Sequence, residues 1–435
     1  MTLPVVVGIL GFVILILFFL LGVPVAFSMA LVGLLGFGYL TSIESAVSMT
    51  GTVLWSTLES YSLSVLPMFV LMGAIAYQSG ISRRLYDALE KFFGRLPGGL
   101  GMATVFACAG FSAICGSSAA TAATIGRVSI PEMRKHNYDS SLSTGCVASG
   151  GTLGILIPPS TMLIIYASMT EQSIAELFAA GIVPGIVVAI LFAITILALC
   201  FFRPALAPPS ASFSLREKLA SLRGVVDTFF LVVVVLGGLF VGFFTPTEAG
   251  GMGAAGILVI ALARRSISWQ GFIESLKETT RISCMILFIL SGAFIFSRFM
   301  AITRLPADLS MWVGTLPLPT WAILLGIVLV YLIGGCFMDA LGLVTLTVPV
   351  FYPMVLKMGV DPIWFGVTIV LITEMGAITP PVGINVYVIA GIVPPDISME
   401  TIFKGIWPFL GALLFAQILF IAFPSIITFF PSILR

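Results

Sequence analysis

Read for its apolar and polar positions, the chain is a series of long uncharged stretches set apart by short polar ones. A bilayer-spanning helix needs about 20 predominantly apolar residues. Stretches 3–21, 24–40, 62–79, 140–170 and 178–202 come near or above that length and predict membrane helices. Residues 82–95 differ: Leu85, Leu89 and Phe92 recur among charges, which predicts an amphipathic interfacial helix. Between that helix and residue 140 lies one more apolar stretch, 98–129, long enough for two half-helices.

Composition fixes the class. Of 435 residues, 59% are hydrophobic and 9% charged, and the mean hydropathy is +1.17. Soluble domains carry about 25% charge, so a soluble enzyme, a nucleic-acid binder and a disordered scaffold are excluded. The apolar content supplies on the order of ten spans. The 44 glycines and 25 prolines exclude a set of straight rods, because such residues are tolerated where broken backbone is buried or lines a cavity. A net charge of +1 implies no bulk electrostatic partner and no nucleic acid. The six cysteines form no CxxC pair, and His136 is the one histidine, expected in a solvated loop. No transition-metal site, cofactor or catalytic triad is expected, so the chain does not read as an enzyme. Residues 1–21 lack a basic leader and a small-residue cleavage site, and read as a first span.

The special residues repeat. Pro24 and Pro246 are 222 apart, as are Leu96-Pro97 and Leu318-Pro319, Pro131 and Pro353, and the diprolines Pro158-Pro159 and Pro380-Pro381. Cys115 and Cys336 follow at 221, and Gly181-Ile182 and Gly405-Ile406 at 224. The chain therefore divides into a first repeat, 1–202, a polar cytoplasmic linker, 203–223, and a second repeat, 224–435.

Charge sets the orientation, since cytoplasmic loops are rich in Lys and Arg. Stretches 41–60 and 171–176 carry only acids and read as external, the first as a loop. Four basic clusters read as cytoplasmic: Arg83 to Arg95, Arg127 to Lys135, Arg203 to Arg223 and Arg264 to Arg281. Threading the spans through them makes 98–129 a re-entrant hairpin with its tip at Gly116-Ser117-Ser118. Five crossings remain in the first repeat, and an odd number inverts the second. The predicted fold is thus an all-α polytopic membrane protein with about ten spans and two opposed re-entrant hairpins, the second turning near 336–339. Both termini are expected outside. Inverted repeats with discontinuous helices are the architecture of secondary transporters.

Each repeat carries two candidate motifs. Cys115-Gly-Ser-Ser-Ala-Ala-Thr121 offers a glycine turn, two hydroxyls and a half-helix N-terminus, or else a small-residue packing face. Residues 149–160 join three glycines to a diproline, which predicts a broken helix with freed carbonyls around 150–156, or a simple kink. The second break, 373–385, is more polar, with Thr373, Glu374, Thr379 and Asn385. Asp339 and Glu374 are either ion ligands or helix caps, whereas Asp227 and Glu248 read as interfacial or interdomain contacts. Phe18–Phe19 and Phe229–Phe230 are expected to face lipid.

The motifs Gly116-Ser-Ser-Ala-Ala, Gly150-Gly-Thr-Leu-Gly-Ile-Leu-Ile-Pro-Pro-Ser160 and Ile378-Thr-Pro-Pro-Val-Gly383 resemble the large membrane subunit of tripartite ATP-independent periplasmic (TRAP) transporters, over essentially the whole chain. The resemblance implies sodium-driven import of an organic acid in the bacterial inner membrane by an elevator motion. It also implies a periplasmic substrate-binding protein and a small four-helix membrane subunit, here a separate chain. Carried over, one sodium site comprises Gly116, Ser117, Ser118, Gly154 and Pro158. The other comprises Asp339, Thr373, Gly376, Thr379 and Pro380. Ser117, Thr152, Glu374 and Asn385 are the expected substrate contacts. At the second tip Phe337-Met338-Asp339 stands where the first has its serines, so the second ligand set departs from the first. A self-sufficient divalent-anion/sodium symporter is the alternative, although neither tip has the Ser-Asn-Thr often seen in that superfamily.

Overall fold

The computed structural model describes residues 3–208 and 213–434, so positions 209–212 of the expected linker and the extreme termini lie outside it. Among the described residues every regular element is helical. The first part of the chain forms α1 (Leu3–Leu20), α2 (Val25–Leu40), α3 (Ile43–Glu59), α4 (Val65–Gln78) and α5 (Ile81–Phe93). It continues with α6 (Gly99–Cys115), α7 (Ser118–Lys135), α8 (Ser140–Gly151), α9 (Leu153–Leu156), α10 (Thr161–Thr170) and α11 (Ile174–Phe202). After α12 (Leu215–Leu222) come α13 (Val226–Phe240), α14 (Pro246–Ala263), α15 (Trp269–Thr303), α16 (Leu305–Thr315) and α17 (Thr320–Phe337). The chain closes with α18 (Ala340–Lys357), α19 (Pro362–Ile378), α20 (Ile384–Ala390), α21 (Met399–Ala422) and α22 (Ser425–Leu434).

Among the described residues nine segments are long and apolar enough to cross a membrane, or ten if the bent pair α12–α13 is one span. That length criterion counts both arms of the second hairpin and passes over the shorter α2 and α19.

Local chemistry explains where the helices begin, and the starts recur at the repeat spacing. Ser117 caps α7 and Asp339 caps α18; Asp139 caps α8 and Asp361 caps α19. In each pair the side-chain oxygen accepts a first-turn N–H that has no partner within the helix. Glu248 completes a capping box with Thr245. Asp227 pairs with Arg264, which also donates to the Arg223 carbonyl at 2.8 Å, so it ties α13 to α14.

Three expectations change. Residues 41–60 hold helix α3, begun by Ser42, whose Oγ accepts the Ser45 N–H at 3.2 Å. No proline interrupts the stretch, and Ala46, Val53 and Thr57 fall on one buried face. In the second half the corresponding stretch is unbroken, as the 35-residue α15. Helix α5 forms as expected, but part of its apolar face packs on protein: Leu85 lies against Gly110 and the Phe93 ring stacks on Phe106 with centroids 5.0 Å apart, while Phe92 stays exposed. Phe229 and Phe230 are exposed, whereas Phe18 and Phe19 are half-buried against a cluster shared by α1, α2 and α15.

The core centres on the hairpins and broken helices. Every residue of α19 from Ile363 to Ile378 is buried, whereas peripheral α1 buries only Val5, Gly8, Gly11 and Leu15. Small residues let the buried helices touch. A Cβ on Gly405 would overlap the Ser141 carbonyl oxygen, and one on Gly145 the Gly405 carbonyl oxygen, so α8 and α21 cross backbone to backbone.

Candidate functional site

The first tip turns at Gly116, with φ of +65°, between α6 and α7. A side chain there would be strained by that backbone and would put its Cβ 2.5 Å from the Pro159 carbonyl oxygen. The Gly116 carbonyl accepts the Thr161 hydroxyl at 3.0 Å, which fastens the tip to the break in the following span. Gly154 makes the matching approach from α9: its Cβ would lie 2.5 Å from the Ser117 carbonyl oxygen and 2.8 Å from Thr121 Oγ1. That Thr121 hydroxyl is buried without a hydrogen-bond partner. Gly116, Ser117, Gly154 and the Pro158-Pro159 turn therefore converge, with Thr121 added to them. Thr121 closes the predicted tip motif, but the sequence assigns it no ligand role, because one more Thr on a small-residue face carries no signal of its own.

The break itself sits later than expected. Residues 150–156 stay helical apart from a bend at Thr152, and the chain becomes extended at Ile157. Proline disfavours a helical residue before it, so unwinding starts immediately ahead of Pro158. The second break follows the same rule: α19 runs to Ile378 and turns extended at Thr379, before Pro380. Both diprolines carry a cis bond.

The expected second set is less convergent. Asp339 caps α18, accepting the Leu341 N–H at 3.1 Å. Gly376 presses against Gly335 and Cys336, two to three residues ahead of the tip, and Gly335 in turn approaches the Thr373 carbonyl. The hydroxyls of Thr373 and Thr379 are turned back onto Ile369 and Met375 carbonyls at 2.7 and 2.6 Å.

Both tips, and residues flanking both breaks, line one cavity of about 720 Å³, whereas Gly154, Pro158, Thr373, Gly376, Thr379 and Pro380 are not in its wall. Ser117, Ser118, Asp339, Glu374 and Asn385 line it, with Met285 and Phe288 of α15 opposite. Asn385 Nδ2 donates to Ser118 Oγ at 2.7 Å, so the second break is bonded to the first tip. Glu374 is 1% exposed, and its Oε2 has no hydrogen-bond partner. No Lys or Arg is among the described residues of the lining. Thr152, an expected substrate contact, lies outside the cavity wall; its hydroxyl donates to the Ser149 carbonyl at 2.6 Å.

A cleft of about 400 Å³ shares Ser117, Thr161, Met285 and Leu341 with this cavity and leads to Tyr77, Arg127 and Glu278. Arg127 donates to the Tyr77 hydroxyl at 2.6 Å at its far end. His136 is half-buried at the C-terminal cap of α7, 3.7 Å from Glu132, and not in an open loop.

Residues 12–426 match the family described as tripartite ATP-independent periplasmic transporter, DctM component. The chain is 35% identical over 381 residues, 87% of each chain, to the C4-dicarboxylate TRAP transporter large permease protein DctM of Pseudomonas aeruginosa. It is 31% identical over 413 residues, 95% of each chain, to the sialic acid TRAP transporter large permease protein SiaM of Vibrio cholerae. Its fold resembles the crystal structure of the Alcanivorax borkumensis YdaH transporter, with a TM-score of 0.66 over 88% of this chain and 90% of that one, at 15% identity.

Proposed function

The chain belongs to the DctM component family of tripartite ATP-independent periplasmic transporters, and on that premise we propose that it imports an organic acid anion across a bacterial inner membrane, driven by sodium. The observation that carries this reading is the cavity lined by both hairpin tips and by residues flanking both helix breaks. Its lining offers hydroxyl, amide and carboxylate oxygens, which suit a hard monovalent cation. The buried Glu374 oxygen without a partner is costly until a cation satisfies it. With no Lys or Arg among the described residues of the lining, an anionic substrate gains its counter-charge from bound sodium, so cation and anion bind together.

In this reading Gly116, Ser117, Ser118, Gly154 and Pro158 hold one sodium ion, with the Thr121 hydroxyl as a further oxygen. Asp339, Thr373, Gly376, Thr379 and Pro380 frame the other, and Ser117, Glu374 and Asn385 meet the substrate. The repeats 1–202 and 224–435 are related by inversion, with both termini outside. Hairpins and broken helices move as one body against the remaining helices in an elevator motion. The cleft toward Arg127 is the route to the cytoplasm, because it ends among the basic clusters. A periplasmic binding protein delivers the substrate, and a small four-helix membrane subunit accompanies this chain. The two relatives carry C4-dicarboxylates and sialic acid, so the substrate class is a carboxylate with further polar groups.

The test is uptake of a labelled C4-dicarboxylate or sialic acid into proteoliposomes holding this chain and its small subunit, with the binding protein added. Uptake is expected only with all three and an inward sodium gradient. Uptake by this chain alone from free substrate would replace the tripartite reading with the self-sufficient symporter.

A further inference from the structure

We propose that Glu90, Glu132 and His136 form a zinc site that braces α5 against the outgoing arm of the first hairpin. Donor atoms of the three side chains lie within 4.8 Å of one another. Glu132 and His136 are one turn apart, at the last turn and cap of α7, so their side chains share a face. Glu90 reaches them from the last turn of α5. His136 Nε2 stands 3.7 Å from Glu132 Oε1, too far for a hydrogen bond. Two ligands on a tetrahedral zinc, each at about 2.0–2.1 Å, stand roughly 3.4 Å apart, so a small side-chain rotation closes the gap on an ion. Lys135 holds the other Glu132 oxygen at 2.8 Å, which orients the carboxylate and leaves Oε1 turned to the histidine.

The charge around the site favours a cation. Glu90 and Glu132 bring two carboxylates together beside the imidazole. A divalent ion relieves that crowding. One imidazole nitrogen and two carboxylate oxygens, with water in the fourth position, suit zinc; calcium and magnesium favour oxygen alone. Along the chain Glu90 is 46 residues from His136, and only the packing of α5 on α7 assembles the set.

Zinc binding stands apart from the transport reading; the consequence of the brace rests on the moving hairpin proposed above. The experiment is calorimetric titration of zinc chloride into the detergent-solubilised full chain, purified on a histidine-free tag, with melting temperature as the check on folding. One equivalent is expected to bind. His136→Gln, Glu90→Gln and Glu132→Gln are each expected to weaken binding by about tenfold or more. No saturable binding by the wild type, or equal binding by all three folded variants, overturns the site. In the reconstituted system, zinc is expected to halt uptake and a chelator to restore it, in the wild type and not in His136→Gln. Zinc that binds but leaves uptake unchanged supports the site and overturns the brace.

Discussion

Single side chains decide how the two halves meet. Asn385 is buried where the second break reaches the first tip, and its amide donates to Ser118 and, at 3.4 Å, to the Ala148 carbonyl. Loss of a buried hydrogen bond that leaves a partner unsatisfied costs about 1–3 kcal/mol. Asn385→Ala is therefore expected to raise the substrate KM of uptake by about five- to a hundredfold. An unchanged KM would remove Asn385 from the binding site. Ser117→Ala, Ser118→Ala and Thr121→Ala are expected to raise the sodium concentration that half-saturates uptake, since each removes an oxygen near a cation. An unchanged sodium dependence in all three would make them packing residues. Gly154→Ala forces a Cβ against the Ser117 carbonyl, a backbone atom that cannot turn aside. Overpacking of this kind costs about 1–3 kcal/mol, and both the melting temperature and the uptake rate are expected to fall.

Among the elements, the hairpin arms and α5 carry the mechanical question. The Ser275 hydroxyl of α15 donates to the Ala74 carbonyl of α4 at 3.3 Å and to its own helix, which ties α15 to α4. The α5–α7 contact is different, because it joins the hairpin to a helix outside it. Glu90→Cys with Glu132→Cys, in a chain without the exposed Cys284, is expected to form a disulfide that stops uptake until reductant is added. Full uptake by the cross-linked chain would argue against relative motion of hairpin and α5. The α8–α21 crossing makes the opposite prediction, since Gly145 and Gly405 leave no gap to slide through. Gly405→Ala is expected to lower the melting temperature in detergent whatever the transport state, and an unaltered melt would show that the crossing has room for a methyl group.

At the scale of the whole molecule, energy and orientation can be checked together. Moving one net positive charge across 100 mV releases about 2.3 kcal/mol, and each 1.4 kcal/mol is about tenfold in accumulation. Two sodium ions with a monoanion would move one such charge and add their own gradient. Uptake is therefore expected to rise several-fold when a potassium diffusion potential makes the vesicle interior negative. No response would mean an electroneutral ratio of sodium to substrate. Single cysteines replacing Thr2 and Ser432 are expected to react with an impermeant reagent added from the periplasm. Protection of either would reverse the charge-based orientation.

Much of this protein is written in its residue order. Composition required a polytopic helical protein, and the recurrence of prolines, glycines and cysteines at one spacing located both tips and both breaks to within a few residues. Those features are legible because glycine and proline act on the backbone where they stand. Local rules also foretold the amphipathic α5, though not that its Leu85 would pack on the first hairpin. The three-dimensional packing decided the rest. It made α3 a helix, turned Thr152 away from the cavity, engaged Asp339 as a cap and brought Thr121 to Gly154. It joined Asn385 to Ser118, 267 residues away along the chain, and Glu90 to His136. Such contacts depend on which helix faces lie against each other, and in a chain so uniformly apolar the pattern of residues marks the spans but not their facing partners.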